Sequence, residues 1–113
     1  MAEKNSALDL WDDTGKTSGV KIRIEYNNNC FSLMIQNWRT DENIKNGSIR
    51  VKKRLWLFDE LNTRRLMDYF DVKTGKKLLE VLDSLYISHV TTIDRGLEDV
   101  CKSFNIVYEY KDE

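Results

Sequence analysis

Histidine and cysteine are scarce in this chain: among 113 residues there are one histidine, His89, and two cysteines, Cys30 and Cys101. Metal chemistry is the first casualty, because zinc sites draw on His, Cys and carboxylate ligands at short regular spacings, and here a site would need scattered Asp or Glu. His89 reads as structural or solvent-facing. The cysteines have no CxxC spacing and build no disulfide framework, so two reduced, largely buried thiols are expected, with a cytoplasmic or nuclear location. Long apolar runs are also missing. No window approaches the roughly 18 residues that span a bilayer, and Met1 to Ser6 has no apolar signal region, so no membrane partner is expected. Internal repeats are absent, and low complexity is confined to Asn27-Asn28-Asn29.

Catalytic groupings are equally thin. Gly15-Lys16-Thr17 has the ending of a phosphate-binding loop, but position 10 is leucine where the first glycine belongs and no strand precedes it. Neither cysteine sits at a helix start, where a thiol pKa is lowered. The acidic pairs Asp12-Asp13, Asp41-Glu42 and Glu98-Asp99 are adjacent in sequence, which points their side chains apart on a helix or a strand. Binding is expected rather than catalysis, with no cofactor.

Charge and aromatic residues are what the chain does have: 33% charged, with three Trp, five Tyr and four Phe. The net charge of -1 conceals a polarised chain. Residues 50–77 hold nine basic against four acidic side chains, and residues 78–113 hold three against eight. The two regions can form separate patches or pair across the fold.

Residues 1–19 read as a flexible acidic arm, and residues 20–113 as a single domain. Val20, Ile22, Ile24 and Tyr26 alternate with Lys21, Arg23 and Glu25, the mark of a strand buried on one face. The asparagine triplet suits a tight hairpin, returning Cys30 to Trp38 antiparallel with Phe31, Leu33 and Ile35 on one face and Met34 and Trp38 on the other. A third strand spans Ser48 to Phe58, with Ile49, Val51, Leu55 and Leu57 expected inward. Asp59 caps a short helix, with Asn62 reaching back to it; Thr74 caps Gly75 to Ile87; Thr91 and Asp94 have capping-box spacing before a helix that carries Ile93, Leu97, Cys101 and Phe104. Asn105 stops that helix, and a last strand follows. The expected fold is α+β, order β-β-β-α-α-α-β: a small antiparallel sheet of three to four strands, or a mixed one, covered on one face by two or three helices.

Two surfaces stand out. Arg50, Lys52, Arg54, Trp56 and Phe58 would share the outward face of the third strand, with Arg64 and Arg65 close behind. Phosphate neutralisation beside stacking rings suits single-stranded nucleic acid. The competing reading is a protein-binding or inhibitory module, which engages a larger protein through Leu10 and Trp11 of the arm and through Asp94, Glu98, Asp99 and Glu109. A homodimer is compatible with either.

Overall fold

Strand pairing begins earlier than the sequence suggests. The structure is a computed structural model that describes residues 5–14, 18–40, 49–86 and 92–113. Its elements are β1 (Ser6–Thr14), β2 (Ser18–Asn27), β3 (Cys30–Thr40), β4 (Ile49–Leu57), α1 (Glu60–Tyr69), α2 (Gly75–Leu85), α3 (Ile93–Phe104) and β5 (Glu109–Asp112). The five strands form one antiparallel sheet in the order β1-β2-β3-β4-β5. The α+β class holds, with five strands in place of three or four. The additional strand is β1, drawn from the expected arm. Its alternation is hidden because the register shifts between Asp9 and Trp11, so that Leu10 and Trp11 together oppose Ile22 and the period of two is lost at that bulge.

Local chemistry fixes the turns and caps. Asn28 and Asn29 take φ of 52° and 66°, the paired positive values that a two-residue hairpin between Asn27 and Cys30 requires. Asp59 Oδ1 accepts from the backbone N–H of Asn62 at 2.8 Å and from its side-chain amide at 2.8 Å, starting α1 as expected. Thr74 Oγ1 accepts from the Lys77 N–H at 3.1 Å at the start of α2. The N-cap of α3 is Thr92, whose side chain makes no capping bond to the helix; Thr91, like His89 and Ile87, lies outside the described residues. Asn105 ends α3 in the left-handed region, at φ 55°.

All three helices cover one face of the sheet. That face contributes Ile22, Ile24, Tyr26, Phe31, Leu33, Ile35 and Trp56, with Phe58 just past β4, and the helices contribute Leu66, Leu78, Leu79, Leu82, Ile93, Leu97 and Cys101. Two buried polar residues lock the layers together. Thr63 Oγ1 accepts from the Phe31 N–H at 2.8 Å. Asn62, besides its bonds to Asp59, accepts from the Val107 N–H at 2.8 Å, which ties α1 to the segment entering β5. Asn62 was expected only to reach back to the cap, and the burial of both residues was unread, because a lone Asn or Thr on a helix ordinarily faces water.

Register overturns one expectation. Trp56 pairs with Leu33, an inward residue of β3, while Leu55 pairs with Met34, an outward one. Trp56 and Phe58 are therefore core, each 3% exposed, and Val51, Lys53, Leu55 and Leu57 lie on the helix-free face. Alternation divides a strand into two sets without saying which set is inside. Here the larger rings complete the core, against Tyr110 at 5.2 Å and Phe31 at 5.3 Å respectively.

Candidate interface on the open sheet face

Cross-strand pairing orders the helix-free face into rows. One runs Asp9, Arg23, Met34, Leu55, Lys111; the next runs Asp12, Lys21, Gln36, Lys53, with Glu113 beside Lys53 through reciprocal backbone bonds of 3.1 and 2.8 Å. On either side lie Ala7, Glu25, Ser32, Leu57 and Glu109, and a row ending Gly19, Trp38, Val51. Among the described residues, only Gly19 is buried on this face and no second layer covers it. Gly19 is required there because a Cβ would overlap the Trp38 indole that lies across it.

An apolar strip thus runs along β3 and β4, made of Met34, Trp38, Leu55 and Leu57, half-buried by their neighbours on the pleat, and Val51, 51% exposed. Charge surrounds it in near balance. Lys21, Arg23, Lys53 and Lys111 are set against Asp9, Asp12, Glu25, Glu109 and Glu113. Arg23 donates to Glu25 Oε1 at 2.7 Å and to Asp9 Oδ1 at 2.9 Å, and these bonds, Glu25 first, raise its pKa above the ordinary arginine value. Two carboxylates already flank that guanidinium.

The residues expected to bind nucleic acid do not converge. Trp56 and Phe58 are core. Arg54 faces the helices, 3.6 Å from Asp94 at the start of α3 and 5.4 Å from the Trp56 ring centroid, so the basic and acidic regions meet inside the fold at this point. Arg64 pairs with Glu60 at 3.8 Å, and Arg65 donates to the Asn105 carbonyl at 3.2 Å. Both lie on α1, away from Lys52. Lys52 is exposed near Asp112, at 3.9 Å, and lines a shallow groove with Asn37, Trp38, Arg39 and Val51 where the sheet runs on beyond the helices. Arg50 belongs to the same strand end.

The residues expected to bind protein are also dispersed. Leu10 packs on the core and Trp11 is 43% exposed on β1. Glu109 is on β5, at the opposite edge of the sheet. Glu98 accepts a long bond from the Tyr108 hydroxyl, 3.4 Å, while Asp99 is exposed on α3. The strip of Met34, Val51, Leu55 and Leu57 was not read as a site. Its only signal was Met34 and Trp38 falling off the core face of β3.

Other features give less. Burial pushes the Cys101 thiol up to about 11, with the nearby Glu98 charge adding to it, and Cys30 is raised mainly by burial as well; neither is an activated nucleophile. Among the described residues no group of three or more His, Cys, Asp or Glu is placed to hold a metal ion, and no helix is long and apolar enough to cross a membrane. No protein-family model matches the chain, and neither does any curated protein or solved structure.

Proposed function

We propose that the chain is a binding module that docks a protein partner on the helix-free face of its sheet. The observation that carries this reading is the uncovered strip of Met34, Trp38, Val51, Leu55 and Leu57 inside a mixed-charge rim. An apolar centre with a polar margin is the anatomy of protein interfaces, and folded monomers seldom leave contiguous apolar patches bare. Near-equal numbers of cations and anions on the face argue against a polyanion as its main ligand, because phosphate binding rests on net positive charge.

A photo-reactive residue at position 55, compared with one at position 85 on the exposed side of α2, tests this in cells. Support consists of a protein crosslinked from position 55 alone whose purified form binds at least tenfold more weakly to Leu55→Glu, about 1.4 kcal/mol, and equally to Leu85→Glu. Equal crosslinking from both positions removes the face from consideration.

One observation favours the nucleic-acid reading in a relocated form: Trp38, Arg39 and Lys52 line a single groove. Single strands stack on such rings beside cations. Binding of a labelled oligonucleotide should then fall steeply with salt and weaken in Lys52→Glu; salt-independent or absent binding sinks it.

A further inference from the structure

We infer that the uncovered half of the β4 edge, residues 49–52, takes up an acidic extended peptide as a further antiparallel strand. The site lies beside the open face and not on it, so it stands or falls apart from docking there, and it competes with a nucleic acid for Lys52.

Backbone direction is the first argument. β5 pairs with β4 only from Arg54 to Leu57, and the contact ends in the reciprocal bonds between Lys53 and Glu113, 3.1 and 2.8 Å. The N–H and C=O of Lys53 therefore point away from β3, whereas the N–H of Phe58, of opposite parity, donates to Phe31 at the start of β3. Because these groups alternate along a strand, those of residues 49 and 51 point outward with Lys53, and no described residue pairs with them on that side. Two donors and two acceptors are left in line with β5. Such an edge is a template for strand addition by a peptide.

Charge is the second argument, and it names the occupant. β3 and β4 contain no acidic residue, and residues 50–54 read Arg, Val, Lys, Lys, Arg. The chain's own β5 meets the covered part of this run with acids, Asp112 opposite Arg54 and Glu113 bonded to Lys53. At the uncovered part, Lys52 is 64% exposed and has a long contact to Asp112, 3.9 Å, of a kind that contributes little, and Arg39 is exposed on β3. Alternation then sets the order of side chains in the peptide. Its residue opposite Val51 falls on the open face beside Val51 and Trp38 and is apolar; its neighbours, opposite positions 50 and 52, fall on the other face near Lys52 and Arg39 and are acidic. Edge lysines repel a second basic strand at the same place. A nucleic acid meets the charges but offers no matching ladder of amide donors and carbonyl acceptors.

The probe is a fluorescein-labelled acetyl-Glu-Val-Glu-Val-Glu peptide, titrated into the purified full chain by anisotropy, with amide hydrogen exchange followed by NMR. In the free chain the Val51 amide should exchange faster than that of Lys53, which Glu113 holds. The peptide should slow Val51 exchange about tenfold, and its affinity should fall about tenfold when its valine amides are N-methylated or when the chain carries Lys52→Glu. Val51→Pro removes an outward N–H and leaves the β3 ladder intact, so circular dichroism should be unchanged while binding is lost. Equal protection of Val51 and Lys53 in the free chain overturns the inference, since the edge would already be covered. A peptide bound equally well after N-methylation overturns strand addition. Absence of peptide binding overturns the site itself; if labelled oligothymidylate then binds and Lys52→Glu weakens it, these cations serve a nucleic acid. None of these results bears on crosslinking from position 55, so docking on the open face is judged separately.

Discussion

The two faces of the sheet are made from the same strands and both carry large apolar side chains, yet one is a core and the other a surface. Inward, Ile22, Ile24, Leu33, Ile35 and Trp56 are at most 3% exposed beneath three helices. Outward, Met34, Leu55 and Leu57 are only half-buried and lie among lysines and carboxylates. Hydrophobicity alone therefore does not decide the inside. The decision belongs to which set of side chains the neighbouring strands and helices can enclose, and β4 shows this most clearly, since Trp56 and Leu55 are adjacent in sequence and opposite in fate.

The largest effect expected from breaking that asymmetry is on the inward side. Trp56→Ala should destabilise the fold by about 3–5 kcal/mol, because it empties a closed site. Leu55→Ala, one residue away, should lose about 1 kcal/mol or less, as little surrounds it. Urea unfolding of both variants under conditions where the wild type is monomeric measures the difference; equal losses would mean that the outer strip is as enclosed as the core. Trp56 also sharpens the point chemically. Its indole N–H is buried without a hydrogen-bond partner among the described residues, so Trp56→Phe should recover much of what the smaller ring loses.

The inner layer admits polar groups only where they are fully partnered. Asn62, 6% exposed, donates to Asp59 and accepts from Val107, and its truncation to Ala would leave the Val107 N–H without its acceptor. A loss of about 1–3 kcal/mol is expected, with faster hydrogen exchange at the Val107 amide. Unchanged exchange would show that Asn62 does not hold the β5 segment.

Much of this was legible beforehand. The alternation from Val20 to Tyr26, the asparagine hairpin, the Asp59 and Thr74 caps and the stripe placing Cys101 inside all depend on residues within a turn or two of one another, and local patterns report local structure. What was hidden depends on distant partners. The sidedness of β4 is set by its register with β3, the strand character of residues 6–14 is masked by a bulge, and the Arg54–Asp94 contact joins residues forty positions apart, 3.6 Å between charged atoms. The open-face strip was visible only as Met34 and Trp38 out of phase with the core. Nothing local indicated that Leu55 and Val51 would lie beside them.

The smallest effect separates the faces by thiol chemistry. Cys101 is 2% exposed on the inner side, whereas Cys30 is half-buried at the start of β3. An alkylating reagent should modify Cys30 in the folded chain and reach Cys101 only on unfolding. Burial raises the folded Cys101 thiol to about 11 from an ordinary value of 9.0, so between those limits the folded chain keeps a proton that the unfolded chain releases. The unfolded state then binds fewer protons, and stability falls as pH rises through the window, while below 9.0 the contribution is fully present. The difference in urea midpoint between wild type and Cys101→Ala should therefore be constant from neutral pH to about 9 and shrink above it, because only the wild type holds this thiol. A difference that stayed flat through the alkaline window would mean that Cys101 ionises as readily folded as unfolded, and the helix-covered face would be more open to water than its packing implies.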